Sequence, residues 1–143
     1  EEMIGKTDGV VINDSEARLL CKEGNLAKCA KKILAMGANF AIIKKGEHGA
    51  VLFDREGQVF PATAFFLDEI VDPTGAGDSF AGGFLGHIAR KGRIDFRTMK
   101  EAVIYGNVMG SFAVEDFGVK RLLDLTQQDV EERYEKYRNL VQF

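Results

Sequence analysis

Residues 71–83 read Val-Asp-Pro-Thr-Gly-Ala-Gly-Asp-Ser-Phe-Ala-Gly-Gly, and this stretch constrains the fold more than any other. An extended piece, Glu69 to Val71, runs into Asp72-Pro73. Proline fixes its own φ and drives the preceding residue away from the helical region, so a strand is expected to end there. Gly75, Ala76 and Gly77 add almost no side-chain bulk, and an apolar pattern of helical period follows at once. Phe80, Phe84 and Ile88 are spaced by four, as are Ala81, Leu85 and Ala89, so each set shares a helix face. The expectation is a strand, a glycine loop and a helix with Asp78 at or just inside its N-terminus. Unpaired N–H groups and the positive end of the helix dipole converge at such a point and make an anion site.

A carboxylate inside an anion site has two readings. Asp78 is either a cap or first-turn acid, which helices favour on stability grounds alone, or a chemical group. In phosphoryl transfer the N–H groups hold the moving phosphoryl charge while a carboxylate takes the proton of an attacking hydroxyl. Two glycine motifs are excluded. A P-loop has Lys-Ser/Thr after its last glycine, whereas Asp78-Ser79 follow Gly77; a dinucleotide fingerprint has a glycine three residues on, where this chain has Phe80.

Residues 72–85, Asp-Pro-Thr-Gly-Ala-Gly-Asp-Ser-Phe-Ala-Gly-Gly-Phe-Leu, resemble without a gap the C-terminal signature of the ribokinase-like carbohydrate kinases, the PfkB family. The resemblance implies an α/β protein with the three-layer α/β/α ribokinase-like fold. This chain is expected to be its C-terminal portion: a single domain, 1–143, with part of the central sheet plus an antiparallel strand region. It implies an ATP- and Mg²⁺-dependent kinase acting on a hydroxymethyl group of a sugar or nucleoside. Asp78 matches the family's general base, and Gly75, Ala76, Gly77 and Asp78 its anion hole. The resembled kinases are considerably longer, and this chain begins at Glu1. It is therefore expected to be the nucleotide-binding piece, inactive by itself, whose sugar or nucleoside contacts lie mainly in a missing first half. The family often forms homodimers through a lid that belongs to that half.

Taken in order, Gly9 to Ile12 is an apolar run consistent with a buried strand, and Ser15 to Cys21 a short helix. Asn13-x-x-Glu16 between them reads as a capping box. By resemblance it also reads as the family's Asn-x-x-Glu, which lies near phosphates and holds magnesium, in keeping with an ion that gives up its waters reluctantly. Leu26 to Met36 is a helix with Asn25 as N-cap and Lys28, Lys31 and Lys32 on a solvated face. Three strands follow, at 40–44, 50–53 and 59–62, and their short connections require antiparallel pairing. Lys44 and Gly46 open a turn resembling the family's phosphate-side loop, so Lys44 is either a phosphate contact or a solvated strand-end lysine. His48 is read as a turn residue and His87 as structural. Gly82 and Gly86 form a small-xxx-small spacing expected to permit close packing. Residues 97–114 read as a buried helix, apolar nearly all round. By resemblance it packs beside the adenine, with Asn107 at a purine edge and Gly110 at a close approach. The turn Ala113 to Gly118, with the carbonyls of Asp72, Pro73 and Thr74, matches a place where related kinases hold a monovalent cation, although Glu115-Asp116 departs from the commoner versions. Thr126 is expected to cap a last helix that docks through Val130, Tyr134, Tyr137 and Val141.

Composition excludes more than it selects. With 143 residues, 45% of them hydrophobic, the chain is long enough for one domain with a real core. A net charge of −3 gives no electrostatic case for nucleic acid or an anionic membrane. No apolar run reaches the roughly 18 residues of a membrane span and no signal peptide is evident, so a cytoplasmic protein is expected. Cys21 and Cys29 lie in helical contexts, unlike a disulfide framework or a zinc site. The competing reading from another class is a non-catalytic nucleotide-binding or structural module without a substrate site.

Overall fold

The computed structural model describes residues 3–142, which fall into two compact units divided between Thr63 and Ala64. The first unit is built on one mixed sheet. Its strands are β1 (Gly9–Asn13), β2 (Phe40–Lys44), β3 (Ala50–Asp54) and β4 (Val59–Ala62), in the order β1-β2-β3-β4. The first pair is parallel and the other two are antiparallel, as the short connections require. A parallel pair demands a crossover, supplied here by the helices α1 (Asp14–Cys21) and α2 (Leu26–Ala35). Their apolar stripes, Ala17 and Cys21 on one and Cys29, Ala30 and Ile33 on the other, pack in one cluster with Ala38, Ala41 and Ile43. β2 is the buried central strand: Ala41, Ile42 and Ile43 have no exposure, which suits its unbroken apolar run. The Asn25 side chain caps α2 by accepting from Lys28 N–H at 3.1 Å. Lys32 lies on the exposed face as expected, and its Nζ also donates to the Cys21 carbonyl at 3.0 Å, closing the end of α1.

The second unit is helical: α3 (Ala76–Lys91), α4 (Phe96–Ala113), α5 (Lys120–Leu123) and α6 (Gln127–Val141). The strand expected at Glu69–Val71 is not formed. That segment is exposed and irregular, and Val71 N–H donates to the Val114 carbonyl at 2.8 Å, so a turn satisfies it in place of a sheet. The pair α3–α4 forms the body of the unit, and its close approach is not made by Gly82 and Gly86. Nothing lies within 4 Å of a Cβ built on either of those. A Cβ on Gly83 would meet the Tyr105 carbonyl at 2.7 Å, and one on Gly106 the Phe80 carbonyl at 3.0 Å. Phe80, Phe84 and His87 define the buried stripe of α3; Gly83 lies on it at helical spacing, while Gly82 and Gly86 flank it. Along α4 burial is nearly continuous, from Thr98 to Ala113, as its all-round apolar character predicts. On α6, Tyr134 stacks on Tyr105 with ring centroids 4.4 Å apart, and Tyr137 is buried beside Phe65. Val141 does not dock: it is 44% exposed in the final turn, beyond the last packed ring.

Candidate functional site

Three helices of this chain carry an acid at their third position, and their N-termini are finished differently. At α1, Asn13 Oδ1 accepts from Glu16 N–H at 2.8 Å and Glu16 Oε2 accepts from Asn13 N–H at 3.0 Å, a complete capping box. At α6, Thr126 Oγ1 accepts from Asp129 N–H at 3.2 Å, and Asp129 Oδ2 accepts from Thr126 N–H at 2.9 Å. The Thr126 hydroxyl and amide hold the Asp129 carboxyl below its ordinary range.

The N-terminus of α3 has no such closure. Its N-cap is Gly75, in the left-handed region at φ 82°, ψ −6°, where a side chain would be strained and where glycine has none to offer as a cap. Ala76 N–H spans the turn to Pro73 O at 3.3 Å, and the first helical bond runs from Ser79 N–H to Gly75 O at 2.9 Å. The N–H groups of Gly77 and Asp78 between them have no acceptor among the described residues. Asp78 is the third helical residue, like Glu16 and Asp129, yet its exposed carboxylate makes no hydrogen bond or ion pair among the described residues. It keeps the favourable dipole of a first-turn acid but does not cap. Two donors and a carboxylate are left facing outward at one helix end.

The surrounding contacts hold this loop in place. Asp72 Oδ1 accepts from Thr74 N–H at 2.9 Å; this bond first, and the Thr74 side chain after it, keep the Asp72 carboxyl below its usual range. Val71 and Asp72 N–H both reach the Val114 carbonyl, at 2.8 and 3.4 Å. Gly110 of α4 touches the loop from the other side: a Cβ there would lie 3.3 Å from Ala76 O. Asp72, Thr74, Gly75 to Asp78 and Gly110 are thus brought together in the second unit, whereas Asn107 is 8% exposed and largely within the buried face of α4.

The acids expected near a monovalent cation have other partners. Glu115 Oε1 accepts from Arg133 Nη2 at 2.5 Å and Oε2 from Arg121 Nε at 3.2 Å, while Asp116 Oδ1 accepts from Phe117 N–H at 2.7 Å. No group of three or more His, Cys, Asp or Glu able to hold a metal occurs among the described residues. The arginine pair was not legible in the sequence, because positions 115, 121 and 133 share no periodic spacing.

In the first unit, Asn13 and Lys44 are register partners at the carboxyl ends of the parallel strands β1 and β2, the place where open α/β sheets bind ligands. Lys44 makes no hydrogen bond or ion pair among the described residues, and Gly46, at φ 57°, opens the single turn Gly46–His48 that follows it. Glu16 uses one carboxylate oxygen in the capping box, and its Oε1 has no partner among the described residues. That arrangement fits a magnesium ion held through its water shell, with one oxygen accepting from a bound water, and not a directly ligated metal. Of the two histidines, His48 is exposed in the turn. His87 is buried between Glu101 (3.2 Å) and the Arg90 guanidinium (3.1 Å), and burial pushes its pKa down, as for a structural residue.

Comparison with known proteins agrees with this geometry. Residues 1–125 match the family model described as pfkB family carbohydrate kinase. The cytidine kinase of Thermococcus kodakarensis is 36% identical over 89 residues, which are 62% of this chain and 32% of that protein. The aminoimidazole riboside kinase of Salmonella typhimurium is 36% identical over 94 residues, covering 65% of this chain and 28% of that protein. The chain therefore spans about a third or less of the length of these relatives. Among solved structures, Salmonella enterica aminoimidazole riboside kinase complexed with aminoimidazole riboside and an ATP analog superposes with a TM-score of 0.81 at 26% identity, over 92% of this chain and 43% of that one. Thermotoga maritima ribokinase gives a TM-score of 0.78 at 25% identity, over 93% and 44%. The fold is α/β and ribokinase-like, and the chain belongs to the pfkB family of carbohydrate kinases.

Proposed function

We propose that the protein containing this chain is an ATP-dependent phosphotransferase that phosphorylates a hydroxymethyl group of a sugar or nucleoside. The observation that carries this reading is the uncapped N-terminus of α3: two free N–H groups beside a free carboxylate, under a glycine in the left-handed region. N–H groups so placed hold the phosphoryl charge in flight, with the helix dipole behind them. The Asp78 carboxylate accepts the proton of the attacking hydroxyl, a role for which a carboxylate without protein partners is suited. Gly110 lets α4 approach the loop closely enough to flank a bound purine, and Asn107 is assigned its edge. In the first unit, Lys44 and Asn13 serve nucleotide phosphates at the strand ends, and Glu16 a magnesium-bound water. Magnesium, when bound, supplies charge neutralisation at the phosphates. The carbonyls of Asp72, Pro73 and Thr74, with the 113–118 turn, would hold a monovalent cation, and no step is routed through it. The relatives' chemistry supports an acceptor of the sugar and nucleoside class, and the same reading puts the protein in the cytoplasm.

The test is Asp78→Asn in the protein expressed from its complete reading frame. Turnover should fall by about 10²–10⁴-fold, the usual contribution of a general base, with nucleotide affinity little changed. Near-normal turnover would reduce Asp78 to a first-turn acid, and only an unsubstituted protein without turnover would leave the non-catalytic reading standing.

A further inference from the structure

We infer that Arg133, acting through Glu115, is a positioning residue for the Asp72–Asp78 loop, so that α6 is part of the machinery that holds the base and the anion hole in register. The inference rests on the kinase reading above for its consequence, but not for its geometry. The chain of contacts is short. The Arg133 guanidinium donates to Glu115 Oε1 at 2.5 Å and to Ser111 Oγ at 3.1 Å, and lies 3.5 Å over the Phe112 ring. Arg121 takes the other carboxylate oxygen of Glu115 at 3.2 Å. Glu115 is therefore fixed from both sides at the C-terminal end of α4, directly after Val114. The Val114 carbonyl receives the N–H groups of Val71 and Asp72. Asp72 in turn fixes Thr74 N–H at 2.9 Å, one residue before the N-cap Gly75.

Two features separate this clamp from an ordinary surface ion pair. The Arg133 and Glu115 side chains are only 16% and 24% exposed, so their attraction is screened less than that of a solvated pair. The segment they hold has no other regular structure: residues 63–75 form neither strand nor helix, and no ladder fixes their path. A loop without a ladder takes its position from the turn it is bonded to. Loosening that turn displaces Gly75 and Asp78 without unfolding α3, whose buried stripe packs on α4 independently.

The experiment compares Arg133→Met, Arg133→Lys, Glu115→Gln and the Arg133→Met/Glu115→Gln double variant in the protein from its complete reading frame. Three readouts are used: kcat against nucleotide KM, melting temperature, and amide hydrogen exchange at Val71 and Asp72. Arg133→Met should lower kcat by about 10- to 100-fold, the size of a small misplacement of reacting groups, with nucleotide KM little changed and faster exchange at both amides. Arg133→Lys should recover most of the rate, and the double variant should be no worse than the worse single one. Should Arg133→Met fail to fold, Glu115→Gln, which keeps shape and removes charge, decides by the same readouts. A folded variant with normal kcat and unchanged exchange would overturn the inference. If Asp78→Asn retains turnover, the general-base reading of Asp78 fails separately, and if the unsubstituted protein has no turnover the kinase reading fails; in either case exchange at Val71 and Asp72 still decides whether the clamp holds the loop.

Discussion

At the start of α1 the chain closes on itself: Asn13 and Glu16 exchange two hydrogen bonds and cover the first-turn N–H groups with protein. At the start of α3 the same helical position carries Asp78, but the N-cap is Gly75 and the first-turn N–H groups of Gly77 and Asp78 are left to whatever approaches from outside. Both ends have an acid where the dipole favours one. The difference lies in the cap. A side-chain cap stabilises the helix by about 0.5–2 kcal/mol, and α3, a 16-residue helix, goes without one, as the proposed anion hole requires. The lesson is that an acid in a first turn says little by itself, whereas an acid in a first turn without a cap partner points to chemistry.

The comparison can be sharpened by substitution. The largest effect is expected for Asp78→Asn, whose loss of turnover should be accompanied by only about 0.3–1 kcal/mol of destabilisation, the worth of a first-turn charge. Next comes Gly75→Ala. The site is open, with nothing within 4 Å of an added Cβ, so the whole penalty is the left-handed backbone, about 1–2 kcal/mol, and denaturant unfolding should report it. A larger loss would mean that the loop is packed more tightly than its open surroundings indicate. Smaller effects belong to α1. Asn13→Ala should destabilise by about 0.5–2 kcal/mol through loss of the cap. Glu16→Gln keeps both hydrogen bonds of the box and should change stability by less than about 0.5 kcal/mol, while raising the Mg²⁺ concentration for half-maximal rate. An unchanged Mg²⁺ dependence would leave Glu16 a cap and nothing more, and the two helix ends would then differ completely in purpose.

How much of this could be read beforehand depends on the range of the interactions. The period-four apolar spacing, Asn25 before Leu26, the capping box and the glycine turns are local, and the helices other than the short α5, which the sequence did not place, and the four strands appear where the sequence places them, within a residue or so. The glycine loop and its acid were equally visible, because the chemistry there lies in seven consecutive residues. Three features were not. Glu69–Val71 has the composition of a strand, yet whether it pairs depends on a partner, and its N–H group found Val114 instead. The choice of Gly83 over Gly82 and Gly86 for the helix crossing depends on which stripe of α3 faces α4, a matter of rotation about the helix axis. The Glu115–Arg133 contact joins residues 18 apart across a turn and a short helix, and no spacing rule foresees it.

The most direct measurement of the difference between the two helix ends is the amide NMR response to a nonhydrolysable Mg-ATP analogue in the protein from its complete reading frame. The N–H groups of Gly77 and Asp78 should move strongly and gain protection from exchange as they take up phosphate oxygens, while that of Glu16, already bonded to Asn13 Oδ1 at 2.8 Å, should keep its protection unchanged. Saturating nucleotide that leaves Gly77 and Asp78 unperturbed would contradict the account, for the N-terminus of α3 would then be open without being a binding site.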